Sequence, residues 1–227
     1  TSCGTEDLGE VVSKARTAIV YITGRRISNR IQQSNDPIIF APPISQTGDK
    51  MGSGIIIDKD GYIITNYHVI AETADLKVKL FNDPDRTYSC QVIETLPDKD
   101  LAVIKINTGY YLPVVTLGNS NMQEVAEEVL AIGCPFSLEQ SVSHGIISDL
   151  KRTVIIEGRK YIDLIQTDAV INSGNSGGAL LNMDGEVIGI NVAIYAPTRV
   201  YCGVGFAVPI NQAKLLIMKI KYLKGES

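Results

Sequence analysis

Histidine and cysteine are scarce in this sequence, with two histidines and four cysteines among 227 residues. The cysteines, Cys3, Cys90, Cys134 and Cys202, lie far apart and form no C-x-x-C pair. Neither residue type therefore supplies a ligand cluster at the spacings of zinc sites, and no phosphate-binding glycine loop is present. The sequence predicts no metal and no cofactor. It leaves open whether the cysteines form disulfides, with buried free thiols the favoured interpretation.

Positive charge is not in excess, since 21 Lys and Arg stand against 25 Asp and Glu, a formal net charge of −4. Nucleic-acid-binding proteins use a basic face to neutralise phosphates, so we predict no nucleic-acid partner. No run approaches the roughly 18 apolar residues that a membrane-spanning helix needs. The start of the chain, TSCGTEDLGE, also lacks the basic and apolar regions of a secretory signal peptide.

Cys3 is the one residue that points to a membrane. The segment TSC, followed by Gly4, resembles the end of a bacterial lipoprotein signal, in which the cysteine carries a lipid. A terminus without fixed structure explains the same residues and is the favoured interpretation. We therefore expect membrane attachment only if Cys3 is lipidated.

Short apolar strands bounded by Gly, Pro, Asn and Asp dominate the sequence pattern. Two β-hairpins are predicted, one around a turn at residues 58–61 and one around a turn at residues 183–185. The spacing of the strands predicts an all-β fold made of two successive barrels. Apolar residues three and four apart follow Pro209, which predicts a C-terminal helix over about residues 209–223 that caps the second barrel.

The predicted boundary between the barrels lies near residues 107–121, where proline and turn residues cluster. Within a single domain spanning 1–227, we therefore expect an N-terminal barrel over about residues 8–112 and a C-terminal barrel over about residues 113–208. Residues 25–50 interrupt the strands with three prolines and polar clusters, which predicts a long loop. Its segment PIIFAPP is either a contact element for another chain or disordered.

Ser176 lies in the segment GNSGG, which fits the G-x-S-x-G nucleophile elbow of α/β-hydrolases. That elbow requires a strand, then the serine, then a helix, and its histidine follows the serine in the chain. Here a predicted hairpin follows Ser176, and both His68 and His144 precede it. The sequence therefore excludes an α/β-hydrolase site.

The order His, Asp, Ser remains open, and it is the order of the trypsin-like double barrel. A serine hydroxyl needs an imidazole to take its proton and a carboxylate to orient that imidazole. We predict Ser176 as nucleophile, His68 as base and Asp100 as orienting acid, because His68 follows one apolar strand and Asp100 directly precedes another. The rivals are His144, which lies inside a strand pattern, and Asp98, which does not abut the strand.

The glycines around Ser176 predict a second element of the site. Gly174 and Gly177 allow backbone angles closed to other residues, so the turn can direct successive N–H groups at one point. We predict an oxyanion hole formed by Gly174, Asn175 and Ser176. The strand in GINVAI is predicted to offer an edge on which a peptide lies extended. The substrate-binding residues predicted on this edge are Ile190, Asn191, Val192 and Ala193.

Each motif alone has a plain structural alternative: a glycine turn, a structural histidine, a strand start. Together and in order, however, five segments resemble the protease domain of the HtrA/Deg serine endopeptidases over about residues 8–220. These segments are GSGIIIDKDGYIITNYHVI, DLAVIKI, LAIGCPF, QTDAVINSGNSGGALLNMDGEVIGIN and GVGFAVPI. The resemblance implies the trypsin-like pair of six-stranded barrels, with His68, Asp100 and Ser176 as the triad.

The resemblance also implies properties that composition does not. It implies cleavage of unfolded or damaged proteins through an acyl-enzyme, a preference for small aliphatic residues before the cut, no cofactor and a homotrimer. It places the protein outside the cytoplasm, in a bacterial periplasm or cell envelope or in an organelle lumen. Because the family needs activation, a peptide-binding or chaperone-like module at rest is the alternative function.

Three residues depart from the family pattern. Proline is common where this chain has Ser173 and Ala179, and asparagine or serine is common where it has Cys134. The family's usual C-terminal PDZ domain is not part of this sequence. None of these departures touches the predicted triad.

Overall fold

A computed structural model describes residues 8–27, 49–134, 140–156, 159–192, 203–223 and 225. These residues form two antiparallel β-barrels, three α-helices and two short 3₁₀ turns. None of the described helices has the length and apolar character needed to cross a membrane.

The first barrel closes on itself in the order β1-β2-β3-β6-β5-β4, because β4 pairs with β1. Its interior is filled by buried side chains from every strand, all of them aliphatic except Tyr88. The six strands are β1 (Ile19–Arg26), β2 (Asp49–Asp58), β3 (Tyr62–Asn66), β4 (Thr73–Leu80), β5 (Asp83–Leu96) and β6 (Leu101–Ile106).

The second barrel closes in the order β10-β11-β12-β9-β8-β7, because β7 pairs with β10. The prediction of an all-β, trypsin-like pair of six-stranded barrels is therefore confirmed. The six strands are β7 (Glu128–Gly133), β8 (Ser141–Ile156), β9 (Arg159–Thr167), β10 (Ala179–Leu181), β11 (Val187–Val192) and β12 (Gly205–Pro209).

The helices are α1 (Leu8–Arg16), α2 (Tyr67–Ile70) and α3 (Ile210–Leu223). Helix α3 confirms the predicted C-terminal helix, and it buries Ile210, Ala213 and other apolar residues against the second barrel. The sequence pattern does not predict α1, because nine residues are too few for a helix that is stable on its own. This helix forms by burying Val11 and Ala15, four residues apart, in the core.

One hydrophobic cluster joins the two barrels. It combines Ile55 and Ile64 of the first barrel with Ile132 and Ile190 of the second, all fully buried. Burying an isoleucine side chain stabilises a fold by roughly 1.5–3 kcal/mol, so this shared core holds the barrels in a fixed relation. A site built from both barrels can therefore keep its geometry.

Both predicted hairpin turns are present. The Gly61 N–H donates to the Asp58 carbonyl at 3.0 Å, and the Gly185 N–H donates to the Asn182 carbonyl at 3.1 Å. The predicted loop at residues 25–50 includes two residues of a strand at each end, since β1 continues to Arg26 and β2 begins at Asp49. Most of that loop, including PIIFAPP, lies outside the described residues.

Cys90 and Cys134 are free thiols, as favoured from the sequence, while Cys3 and Cys202 lie outside the described residues. Cys134 is buried directly after β7. Burial raises the pKa of the Cys134 thiol to about 12 and that of Cys90 to about 11.

We expect native Cys134 to resist alkylation. At pH 8 a thiol with a pKa of about 12 is ionised roughly 1,000-fold less than an ordinary cysteine, and only the thiolate reacts. Iodoacetamide labelling followed by mass spectrometry should therefore show slow modification in native protein and rapid modification in guanidinium. A native rate within tenfold of the unfolded rate would contradict the buried placement of this thiol.

Candidate active site

Strand pairing brings the predicted histidine and aspartate to the same end of the first barrel. Asn66, the last residue of β3, pairs with Leu101, the first residue of β6. Asp100 directly precedes Leu101, and His68 follows Asn66 by two residues in α2. The register of two buried strands therefore sets the distance between the two side chains.

Asp100 is fully buried, and its carboxylate is held on both oxygens. Oδ1 accepts the backbone N–H of His68 at 2.9 Å, and Oδ2 lies 2.6 Å from His68 Nδ1.

Further contacts hold the backbone and the carboxylate of Asp100 in place. The Asp100 carbonyl accepts the backbone N–H of Tyr67 at 3.0 Å and the Nδ2–H of Asn66 at 3.1 Å. From the second barrel, the Tyr161 hydroxyl reaches Asp100 Oδ2 at 3.5 Å. Asp100 itself adopts a left-handed φ of 55° at the end of the 3₁₀ turn Pro97–Lys99.

The carboxylate fixes the orientation of the His68 ring. A hydrogen bond from Nδ1–H to Asp100 selects the tautomer in which Nε2 is the proton acceptor. The His68 side chain keeps 37% of its surface exposed, whereas that of Asp100 has none. Lys50 Nζ donates to the carbonyls of His68 at 3.4 Å and Ala71 at 2.6 Å, which holds the end of α2 in place. The ring therefore has one fixed edge and one accessible edge.

Two consecutive tight turns, residues 172–175 and 175–178, precede and include Ser176, which is the second residue of the second turn. The Asn175 N–H donates to the Asn172 carbonyl at 3.0 Å, and the Gly178 N–H donates to the Asn175 carbonyl at 2.9 Å. The third position of each turn is a glycine, Gly174 with φ of 100° and Gly177 with φ of 82°. Type II turns require a positive φ at this position, which explains the glycines.

The turn that carries Ser176 is attached to the first barrel. The Ser53 N–H of β2 donates to the Ser176 carbonyl at 2.7 Å. A Cβ atom added to Gly52 would lie 2.7 Å from the Val69 side chain and 3.2 Å from the Ser176 carbonyl oxygen. The Val69 side chain of α2 and the backbone of the Ser176 turn therefore both lie close to Gly52. The catalytic roles of His68, Asp100 and Ser176 remain predictions.

The predicted oxyanion hole needs one correction. The Asn175 N–H is used inside the turn, where it donates to the Asn172 carbonyl, so it is not available to a substrate. The Asn175 side chain is buried. Its Nδ2 donates to the Val170 carbonyl at 3.4 Å, and its Oδ1 has no hydrogen-bond partner among the described residues. Gly174 and Ser176 remain the predicted donors.

The predicted peptide-binding edge is wrong for Ile190 and Asn191. Both residues are buried in β11, which lies between β10 and β12 in the closed barrel. Ile190 pairs with strands on both sides, and Asn191 exchanges backbone hydrogen bonds with Gly177 and Gly178. At these two residues β11 is therefore an internal strand of the barrel and not an edge.

Among the described residues, β11 no longer pairs with a strand on each side from Val192 onward. Val192 pairs with Phe206 of β12, and within the described ranges it has no ladder partner on the other edge. Ala193 lies outside the described residues. The substrate-binding role of both residues stays a prediction.

The rival residues lie away from this arrangement. His144, within β8 as expected, has Nε2 3.2 Å from Glu128 Oε1 on the exposed outer surface. Asp98 is exposed in the 3₁₀ turn before Asp100. No group of three His, Cys, Asp or Glu side chains in the described part of the chain could hold a metal ion.

Comparison with known proteins identifies a family model and several relatives. The model described as a trypsin-like peptidase domain matches residues 52–190. The magnetosome formation protease MamE of Paramagnetospirillum magneticum is 40% identical over 218 residues, which cover 92% of this chain and 30% of that protein. A probable periplasmic serine endoprotease, DegP-like, of Rickettsia conorii is 44% identical over 215 residues, covering 93% of this chain and 42% of that protein.

Solved structures give the same picture. An HtrA-type protease, AlgW with a tripeptide, superposes with a TM-score of 0.78 at 35% identity, covering 96% of this chain and 64% of that chain. This chain spans less than half the length of the two curated relatives, 30% and 42% respectively.

Proposed function

This chain belongs to the HtrA/Deg group of trypsin-like serine peptidases, and on that premise we propose that it is a serine endopeptidase. The observation that carries the proposal is the 2.6 Å contact between His68 Nδ1 and the fully buried carboxylate of Asp100. A buried carboxylate without such a partner would be costly, so this pair is a built feature of the fold. It stands beside the glycine turn that presents Ser176.

In the proposed reaction, the Ser176 hydroxyl attacks the peptide carbonyl carbon and His68 Nε2 takes the hydroxyl proton. The N–H groups of Gly174 and Ser176 stabilise the negative charge on the carbonyl oxygen. His68 then gives its proton to the leaving amine as the C–N bond breaks. A water molecule, deprotonated by His68, hydrolyses the acyl-enzyme and restores Ser176. Asp100 stays ionised throughout and stabilises the imidazolium.

We propose unfolded polypeptides as the substrates. A chain that pairs with the strand edge beginning at Val192 must be extended and must have backbone N–H and C=O groups free to pair, whereas strands of folded proteins already use these groups in their own sheets. The family resemblance supports small aliphatic residues before the cleaved bond, and the AlgW structure with a tripeptide supports peptides as ligands of this group. We also propose that the protein forms a homotrimer, uses no cofactor and binds no nucleic acid.

We also propose a location outside the cytoplasm. DegP-like relatives of Rickettsia conorii and Pseudomonas fluorescens are named periplasmic endoproteases, which supports this placement. The two described cysteines are free thiols, so this part of the chain does not depend on a disulfide in such a compartment.

A fluorophosphonate probe tests the proposed activity. Attack by Ser176 Oγ on phosphorus displaces fluoride and passes the hydroxyl proton to His68, which leaves a stable adduct. We expect mass spectrometry to locate that adduct on Ser176 and Ser176→Ala to remain unlabelled while staying folded. If the wild-type protein is not labelled, even with denatured protein or activating peptides present, the proposal fails and the peptide-binding alternative replaces it.

A further inference from the structure

Ser53 of β2 forms hydrogen bonds through all three of its polar atoms, and two of these atoms connect the two barrels. Its side chain is fully buried. Its N–H donates to the Ser176 carbonyl at 2.7 Å, and its carbonyl accepts the Thr65 hydroxyl at 2.7 Å. The Ser53 hydroxyl donates to the Gly174 carbonyl at 2.6 Å and accepts the Cys134 N–H at 2.7 Å. Three of these four bonds cross to the second barrel.

The Gly174 carbonyl belongs to the peptide plane that links Gly174 to Asn175. This plane lies between the two peptide planes whose N–H groups, those of Gly174 and Ser176, are the predicted oxyanion donors. A peptide group is rigid, so fixing its carbonyl restricts the torsions on both sides of it. Gly174 has a φ of 100°, and glycine passes readily between backbone conformations. Without a partner for its carbonyl, this plane is held only by the bond from the Asn175 N–H to the Asn172 carbonyl at 3.0 Å, and it can turn more easily.

We propose that Ser53 is a positioning residue for the oxyanion hole. Its hydroxyl holds the Gly174 carbonyl inward, so that the N–H groups of Gly174 and Ser176 stay directed at one point. The inference rests on the proposed peptidase function. Ser53 has no role in the proton transfers and acts only through the backbone of the turn.

The same hydroxyl connects the turn to a third segment. Cys134, whose N–H it accepts, is the residue directly after β7. One buried oxygen thus ties together the end of β7, strand β2 and the Ser176 turn. This oxygen therefore connects the backbone at Cys134 to the predicted oxyanion donors, in addition to the direct packing of Gly133 against Asn175.

Ser53→Ala tests the proposal, because it leaves the Gly174 carbonyl and the Cys134 N–H buried without their partner. Losing an oxyanion donor lowers rates by about 10²–10³, and a misdirected donor should cost less, so we expect Ser176 labelling to slow about 10- to 100-fold. The loss should appear in the rate at saturating fluorophosphonate, with the half-saturating concentration unchanged.

Ser120→Ala is the matched control. The buried Ser120 hydroxyl also accepts a backbone N–H, from Asn211 at 3.2 Å, and it lies away from the site.

Hydrogen exchange supplies a readout that does not need activity. The N–H groups of Asn175 and Gly178 are bonded inside the two turns, and we expect their exchange to quicken about tenfold in Ser53→Ala but not in Ser120→Ala. If Ser53→Ala fails to fold, Ser53→Cys replaces it, since sulfur fills the space but bonds weakly.

The outcomes separate this inference from the proposed function. Labelling of Ser53→Ala within twofold of wild type, or equal slowing in Ser120→Ala, overturns the role of Ser53. Absence of labelling in the wild type overturns the peptidase proposal, and unchanged exchange in Ser53→Ala then overturns the positioning role independently.

Discussion

Asp100→Asn is expected to lower kcat about 10⁴-fold at neutral pH while the protein stays folded, the loss seen when a triad aspartate becomes asparagine. The structure explains which way the new amide would face. Oδ1 accepts the backbone N–H of His68 at 2.9 Å, a bond that only the amide oxygen can keep. The amide NH₂ must then face Nδ1, which has to accept the hydrogen bond. The His68 proton moves to Nε2, the atom needed to receive the Ser176 proton.

The matched control is Asp98→Asn, which makes the same change on an exposed side chain two residues away. We expect it to leave kcat within a factor of about two, because exposed charges interact weakly. Nitrogen NMR shifts of His68 should show a proton on Nδ1 in the wild type and on Nε2 in Asp100→Asn. Equal activity of Asp100→Asn and wild type would remove Asp100 from the proposed mechanism.

The sequence predicts the barrels and the His–Asp pair well, for a physical reason. Each strand of the barrels is a short, mainly apolar stretch of sequence that can be recognised by itself. His68 and Asp100 lie next to strands β3 and β6 in the chain. Strand pairing then brings together residues that already mark strand ends. His68 and Asp100 can therefore be identified from the sequence once the ends of β3 and β6 are known.

Long-range contacts explain what the sequence does not predict. Nothing in the letters GSG shows that Ser53 bonds to Gly174, which lies 121 residues away. The predicted edge at β11 is wrong for Ile190 and Asn191 because the residues of a strand do not reveal how many neighbouring strands it pairs with. Asn175 was assigned to the oxyanion hole because turn geometry, and not residue type, decides which N–H groups remain available.

Gly177→Ala is expected to disrupt both stability and activity. Gly177 has a φ of 82°, and a non-glycine residue there is strained by about 1–3 kcal/mol. An added Cβ would also lie 2.1 Å from the Ser53 carbonyl oxygen and 2.3 Å from Thr65 Oγ1. Such overpacking costs typically about 1–3 kcal/mol more, and the turn must move away from β2 to relieve it.

Gly109→Ala separates the two contributions to that loss. Gly109 has nearly the same φ, 81°, but an added Cβ would meet no atom within 4 Å. We therefore expect Gly109→Ala to show the backbone strain alone, with Ser176 labelling at the wild-type rate. Gly177→Ala should unfold about 10 °C lower than wild type and lose most of its labelling, since about 4 kcal/mol shifts Tm by this amount in a domain of this size. Equal Tm losses in the two variants would show that the Ser176 turn does not press against Ser53, and would contradict the contact between barrels on which the site depends.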